Sequence, residues 1–119
     1  MSEITLGTYE ARFADIIWEN EPIAPGELSK ICEKKLSWKK STTYTILKRV
    51  CERGLFRNDK GVVSSVVTKQ EFLSGQSTQF VEETFDGSLP GFVAAFTARQ
   101  KLSDAEIAEL QKIIENSRK

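Results

Sequence analysis

Apolar and polar residues recur with a helical period in the segment Trp38–Phe56, and this pattern divides the segment into two faces. One face holds the residues that are expected to pack, namely Thr43, Ile46, Leu47, Val50 and Gly54. The other face holds polar residues, namely Ser41, Thr45 and Lys48, with Thr42, Tyr44 and Arg49 at its flanks. Because a glycine suits the left-handed position that closes a helix, this helix is expected to end at about Arg53. It can therefore pack on one side and contact a ligand on the other.

The patterns on either side of this segment predict two earlier helices and a hairpin. Tyr9–Asn20 carries apolar residues at helical spacing behind Thr8 as its expected cap, and a second helix is expected from Pro25. Leu55–Asp59 and Val62–Val67 are rich in apolar and β-branched residues and flank an Asp-Lys-Gly sequence, which predicts two strands around a tight turn. Three helices followed by a short hairpin is the layout of a winged helix-turn-helix domain.

The rest of the chain predicts a helical arm with wide aromatic stripes. An amphipathic helix is expected over Lys69–Phe85, a short helix around Phe92, and a last helix that begins with a capping box at Ser103–Glu106. Three short helices with these stripes cannot bury them alone, and a second copy of the chain is the simplest partner because two-fold dimers are the commonest assembly. The predicted dimerisation residues are Phe72, Phe80, Phe85, Phe92, Phe96, Ile107, Leu110 and Ile114. The alternative is an arm that packs back on its own chain as a monomer.

These patterns predict a mostly α fold with a small β-hairpin wing. We assign residues 1–68 to a winged helix-turn-helix DNA-binding domain and residues 69–119 to a helical dimerisation domain.

The charge along the chain is segregated, although its overall balance is zero. Residues 30–60 contain ten basic and three acidic residues, a net charge of +7, and the remainder contains seven basic and fourteen acidic residues, a net charge of −7. A basic face attracts phosphates even when the whole molecule is neutral. The plainer interpretation is a solvated helix face.

Composition argues against several other classes of protein. With no histidine, the usual general base near neutral pH is missing, and no phosphate-binding glycine loop occurs, so we expect no enzyme and no cofactor. Cys32 and Cys51 are far apart and lack a paired motif, so we expect reduced thiols, no metal site and a cytoplasmic protein. A redox role for these thiols stays open. No apolar run approaches the ~20 residues that span a bilayer, so we expect no membrane insertion.

Three stretches of the sequence resemble the penicillinase-repressor family of bacterial winged-helix transcription regulators. They are EARFADIIWEN, WKKSTTYTILKRVCERGLF and LSDAEIAELQKII, and together they extend over almost the whole chain. The resemblance implies a homodimer with an N-terminal winged helix and a C-terminal helical dimerisation arm. It also implies that the dimer binds a palindromic double-stranded DNA operator and represses transcription.

The resemblance also implies which residues contact DNA. The base-contacting positions correspond to Ser41, Thr42, Tyr44 and Thr45. The phosphate-contacting positions correspond to Lys39, Lys40, Lys48, Arg49, Arg57 and Lys60. These residue types fit the task, since hydroxyls reach base edges or phosphates, a threonine methyl packs on a thymine methyl, and cations pair with the backbone.

The chain departs from the family pattern at several positions. Tyr44 stands where relatives often have an arginine, which predicts a different operator. Antibiotic-responsive relatives are cleaved at an Asn-Phe bond, with a sensor protease as partner, whereas this chain has Ala95-Phe96. The copper-responsive branch carries C-terminal cysteine pairs, and no cysteine follows Cys51 here, which argues against soft-metal sensing. The inducing signal and the sensor protease therefore stay open. A winged-helix module that binds protein without binding specific DNA is the competing function.

Overall fold

A computed structural model of the chain describes residues 6–118, and it confirms the predicted fold class. The fold is mostly helical with one two-stranded antiparallel hairpin. In chain order, its elements are α1 (Thr8–Asn20), α2 (Pro25–Leu36), α3 (Lys40–Glu52), β1 (Phe56–Asp59), β2 (Val62–Ser65), α4 (Lys69–Phe85), α5 (Leu89–Arg99) and α6 (Asp104–Asn116). The chain divides into two compact units, a first unit up to Gln79 and a second unit from Phe80, so the boundary falls within α4.

The first unit has a continuous apolar core made by α1, α2, α3 and the hairpin. Its fully buried side chains include Phe13, Ile17, Leu28, Val50, Leu55, Phe56 and Val63. The predicted packing face of α3 is confirmed at Thr43, Leu47 and Val50, which are buried, while Ile46 is half-buried. Apolar residues at helical spacing in three neighbouring helices thus form one shared core.

Trp18 joins the hairpin and α4 to this core. Its ring lies 5.2 Å from that of Phe56 and 5.6 Å from that of Phe72, measured between ring centroids. Its indole N–H donates a hydrogen bond of 3.0 Å to the carbonyl oxygen of Val67. A half-buried tryptophan uses its apolar body and its polar N–H in this way, so Trp18 holds the chain that follows the hairpin.

The end of α3 was predicted correctly from the sequence, and the start of α1 was not. Gly54 has a φ of +84° immediately after the last residues of α3, so the predicted helix end is confirmed. The predicted cap of α1 is wrong, because Gly7 caps this helix and Thr8 is its first helical residue. The carboxylate of Glu10 accepts a hydrogen bond of 3.1 Å from the amide of Gly7, which is the half of a capping box that a glycine at the cap still allows.

The hairpin is a short wing with a tight turn. Phe56 pairs with Ser65 and Asp59 with Val62, and the turn residues Lys60 and Gly61 both have positive φ, at 54° and 78°. This is the backbone of the two-residue turns that match the twist of paired strands. The strands are shorter than predicted. Leu55 lies outside β1, and its carbonyl oxygen accepts hydrogen bonds from the amides of Val66 and Val67 after β2 has ended.

The chain between α1 and α2 fixes the other side of the wing. Ile23 exchanges backbone hydrogen bonds of 3.1 and 2.8 Å with Val63 and so adds an isolated bridge beside β2. The carboxylate of Glu21 accepts hydrogen bonds from the backbone amide of Ser65 at 2.7 Å and from its hydroxyl at 3.0 Å. The wing is therefore attached to the chain between α1 and α2 along the edge of β2 that faces away from β1.

Candidate nucleic-acid interface

The outer face of α3 presents the four predicted base-contacting residues. Ser41, Thr42, Tyr44 and Thr45 are all exposed, and 37% of Tyr44 is accessible. They lie in the first two turns of α3. The opposite face of the helix packs into the core through Thr43, Leu47 and Val50, so these four residues face outward. The structure thus brings these four residues together on one accessible surface.

Hydrogen bonding limits what Thr45 can recognise. Its hydroxyl donates a bond of 2.9 Å to the carbonyl oxygen of Ser41, one helical turn earlier. Because the single hydroxyl proton is used, Thr45 can only accept a hydrogen bond from a base or present its methyl group. Cytosine and adenine amino groups and the thymine methyl are the groups in the major groove that suit such a residue.

Tyr44 is accompanied by a cation. The ammonium nitrogen of Lys40 lies 5.6 Å from the centroid of the Tyr44 ring, within range of a cation–π contact. The ammonium group of Lys40 therefore lies over the face of the Tyr44 ring near the start of α3. An arginine in place of Tyr44 would offer a planar fork of donors for guanine, which the tyrosine does not.

A groove runs beside α3 and exposes a residue that the sequence pattern did not single out. It is lined by Pro25, Tyr44, Leu47, Lys48, Cys51, Glu52 and Asn58. Asn58 lies on β1 and is exposed, and its amide can donate and accept at a base edge or at a phosphate. Only the folding of the wing against α3 brings this side chain to the same groove as Tyr44 and Lys48, so no local sequence signal marked it.

All six predicted phosphate-contacting residues are exposed cations on α3 or near it, and five of them share a further property. Lys39 and Lys40 lie at the start of α3, Lys48 on its outer face, Arg57 on β1 and Lys60 in the turn of the wing. None of the five forms an ion pair with another residue in the range 6–118. The start of α3 adds to their field, because the helix has no acidic residue in its first turn and its first amides lack partners within the helix.

Arg49 is placed differently from the other five. Its guanidinium donates to the carboxylate of Glu10 on α1 at 3.3 Å, and the guanidinium of Arg53 lies 3.6 Å from the same carboxylate. The amide of Gly7, together with the two guanidinium groups, holds the pKa of Glu10 below its usual value. Arg49 therefore already has an anionic partner within its own molecule, which the sequence pattern did not reveal.

The second unit exposes the apolar residues that were predicted to dimerise. Phe80, Phe85 and Phe92 form a cluster with centroid distances of 5.6 to 5.9 Å, and Phe96 lies 6.3 Å from Phe92. Yet no residue from Phe80 to Arg118 is buried. Among the exposed apolar side chains are Phe80, Val93, Phe96, Ile107, Leu110, Ile113 and Ile114.

The eighth predicted dimerisation residue, Phe72, lies in the first unit. Its side chain is only 9% exposed and packs on Trp18. The amphipathic pattern of α4 could not separate a residue that packs on its own core from one that remains accessible, because both are apolar residues on the same helix. We therefore omit Phe72 from the surface that is accessible to a partner.

Cys32 is buried and Cys51 is half-buried, and neither forms a disulfide. Burial raises the pKa of both Cys32 and Cys51, which keeps these thiols protonated near neutral pH. Within the described part of the chain, no three side chains of the metal-binding types come together. Over the same residues, no helix is both long and apolar enough to cross a membrane.

Comparison with known proteins gives a consistent result. The family model described as "Penicillinase repressor" matches residues 6–116 of this chain. The chain is 26% identical over 110 residues to the "Penicillinase repressor" of Bacillus licheniformis, covering 89% of this chain and 86% of that protein. It is 22% identical over 113 residues to the "Methicillin resistance regulatory protein MecI" of Staphylococcus aureus, covering 92% of each.

Proposed function

This chain belongs to the penicillinase repressor family of transcriptional repressors, and we propose that it binds a palindromic DNA operator as a homodimer. In this proposal α3 enters the major groove and the wing lies along the backbone. The observation that carries the proposal is the exposed face of α3, where hydroxyl and aromatic side chains lie beside Lys39, Lys40 and Lys48. These three lysines have no ion-pair partner among the described residues.

The proposed contacts divide by chemistry. Ser41, Thr42, Tyr44 and Thr45 read base edges, and Asn58 of the wing joins them at the rim of the groove beside α3. The phosphate contacts come from Lys39, Lys40, Lys48, Arg57 and Lys60. Phosphate contacts set the register and supply affinity, whereas base contacts supply sequence preference.

The second unit supports the proposed dimer. A set of helices without a single buried residue gains little from folding alone, because burial of apolar surface is the main favourable term in folding. Between α5 and α6 an apolar groove is lined by Phe92, Val93, Phe96, Thr97, Leu102, Glu106, Glu109, Leu110 and Ile113. A second copy that covers this surface would give both chains a shared core, and a two-fold axis would present two α3 helices to a palindromic site.

We propose residues 69–119 as the dimerisation domain and residues 1–68 as the DNA-binding domain. The first part of α4, which carries Phe72, packs on the first unit's own core. It therefore connects the DNA-binding domain to the exposed aromatic surface that begins at Phe80.

A salt titration tests the proposed DNA binding. The probe is a duplex of about 30 base pairs selected by the protein from a randomised pool, which is long enough for two half-sites one helical turn apart. A scrambled duplex of the same composition is the control. We expect tighter binding to the selected duplex, and we expect the logarithm of the affinity to fall by about 0.9 per phosphate contact for each unit increase in the logarithm of salt concentration.

Two outcomes would contradict the proposal. Absence of duplex binding at micromolar protein in dilute buffer would favour the competing function, a winged-helix module that binds protein. Binding that is equal on both duplexes would exclude an operator-specific repressor.

Sedimentation of the protein alone tests the dimer, and monomers at concentrations well above those that saturate the duplex would contradict it.

A further inference from the structure

We propose that Glu10 sharpens DNA specificity by withholding Arg49, and with it Arg53, from phosphate contacts while it holds α3 against α1. This inference rests on the proposed DNA binding and adds a role for a residue outside the reading face. Glu10 is a positioning residue in this account, since it acts through two arginines and does not contact the duplex.

The geometry around Glu10 is that of a carboxylate fixed from three directions. One oxygen accepts from the backbone amide of Gly7 at 3.1 Å and lies 3.6 Å from the guanidinium of Arg53. The other oxygen accepts from the guanidinium of Arg49 at 3.3 Å. Only 13% of the Glu10 side chain is exposed, compared with 51% for Arg49 and 41% for Arg53. The Glu10 carboxylate is thus mostly buried, and the two more exposed guanidinium groups lie within 3.3 and 3.6 Å of it.

Arg49 lies in the last turn of α3, and Arg53 is the residue that directly follows this helix. Residues four apart along a helix are neighbours on its surface, so Arg49 follows Thr45 and Arg53 follows Arg49 in one row. Ser41 begins the same row at the start of α3. The proposed reading residues are therefore continued towards the end of the helix by two guanidinium groups, and a guanidinium is well suited to bind a phosphate oxygen.

The consequence for specificity follows from what a phosphate contact recognises. Every duplex carries phosphates, so a cation that pairs with them raises the affinity for any sequence. Arg49 and Arg53 are occupied by an anion of their own chain, which reduces that non-specific affinity. The same contact ties α3 to α1 across 39 residues of sequence, which keeps the reading face in one orientation.

A matched pair of variants separates this role from a change in overall charge. Glu10→Gln removes the charge of Glu10 but keeps an oxygen that can accept from Gly7. Asp15→Asn removes one negative charge from the same helix, where Asp15 pairs with Lys69 of α4 at 3.0 Å and not with α3. Both variants have the same net charge, so any difference between them reports the partners of the two carboxylates.

The first measurement is the salt dependence of binding to a mixed-sequence duplex of about 30 base pairs, compared with the duplex selected by the wild-type protein. For Glu10→Gln we expect a salt slope that is steeper by about 0.9 for each phosphate that Arg49 or Arg53 then contacts. We also expect about three- to tenfold tighter binding to the mixed-sequence duplex at low salt, with a lower ratio of selected to mixed-sequence affinity. Asp15→Asn is expected to leave both the slope and the ratio near their wild-type values.

Replacing Arg49 and Arg53 tests whether these two cations contact phosphates in the wild-type protein, and it leaves Glu10 unchanged. In the wild-type background, Arg49→Gln with Arg53→Gln is expected to leave the salt slope unchanged, because Glu10 already withholds these cations. In the Glu10→Gln background, Arg49→Gln is expected to reverse most of the gain in slope. Thermal melting of each variant establishes that it is folded.

The outcomes distinguish this inference from the function on which it rests. A Glu10→Gln slope and ratio equal to those of the wild type, or matched by Asp15→Asn, would overturn the role of Glu10 while leaving the proposed DNA binding intact. A loss of slope on removal of the two arginines in the wild-type background would also overturn it. If the wild-type protein itself shows no salt-dependent duplex binding, the proposed function is what fails.

Discussion

The two units of this chain contain similar kinds of helices but differ in what those helices bury. In the first unit, Phe13, Ile17, Leu28 and Val50 are completely enclosed by neighbouring elements. From Phe80 to Arg118 no residue is buried, although this stretch contains four of the chain's seven phenylalanines. An amphipathic sequence therefore predicts that a face will be covered, and it does not say whether the cover comes from the same chain.

The difference in burial suits the two units to different roles in a repressor. The first unit has enough buried apolar surface to hold α3 and the wing in a fixed geometry, which reading a DNA sequence requires. The second unit exposes aromatic and aliphatic side chains, as expected for a surface that is completed by association. Substitutions in the two units should therefore fail in different ways.

The largest expected effect is on the stability of the first unit. Phe56→Ala removes a side chain that is 1% exposed and packs on Trp18, and we expect it to lower the free energy of unfolding by about 3–5 kcal/mol. Urea denaturation measures the change. Tyr9→Ala is the control, because Tyr9 is 65% exposed and its loss should cost less than about 0.5 kcal/mol. Equal destabilisation by both variants would remove the contrast between a buried core and an exposed surface.

The next largest effect is on association of the second unit. Phe96→Ala is expected to weaken the proposed dimer by about 2 kcal/mol, which corresponds to roughly 30-fold in the dissociation constant, because aromatic anchors dominate such interfaces. Sedimentation equilibrium gives this constant directly. Val66→Ala truncates a similarly exposed apolar residue of the first unit and should leave association unchanged. If association tolerates Phe96→Ala but not Val66→Ala, the interface lies in the first unit and the proposed dimerisation surface is wrong.

The smallest expected effect is a pH dependence confined to the first unit. The amide of Gly7, assisted by Arg49 and Arg53, lowers the pKa of Glu10 in the folded protein. A lowered folded-state pKa contributes stability at pH values above the unfolded value of about 4.3, and that contribution is lost as the pH falls through the folded-state pKa. Ion pairs near the surface contribute about 1 kcal/mol or less.

Denaturation of the wild type and of Glu10→Gln across this pH range tests the direction. We expect the stability difference between them to be largest near neutral pH and to shrink on acidification. Glu19→Gln, which removes an exposed carboxylate from the same helix, controls for the loss of a charge alone. A difference that grows as the pH falls would show that the direction of the Glu10 shift is wrong.

Much of the local structure could be predicted from the sequence because it depends on neighbours along the chain. Ser103 accepts from the amide of Glu106 at 3.1 Å, and the carboxylate of Glu106 accepts from the amide of Ser103 at 2.9 Å, which confirms the capping box. Gly54 ends α3 and Gly61 closes the turn of the hairpin, because both adopt a positive φ that glycine tolerates. The same helical period marked the exposed face of α3.

The contacts that could not be predicted join residues far apart in sequence. Glu10 pairs with Arg49 across 39 positions, and Glu21 holds Ser65 across 44 positions. The bridge between Ile23 and Val63 attaches the wing in the same way. The patterns placed Arg49 on a helix and Val63 and Ser65 on a strand, but they did not say which distant residue each would contact.

The sequence by itself determined the order of elements, the winged-helix layout, the basic middle segment and the family, since periodicity, turn residues, charge and motif spacing all operate over a few neighbouring positions. Only the tertiary structure decided that Phe72 belongs to the core of the first unit and that Arg49 is held by Glu10. It also decided that Asn58 and Tyr44 line the same groove. The physical reason is that packing selects among equivalent apolar or charged side chains by their distance in space, which a one-dimensional pattern does not contain.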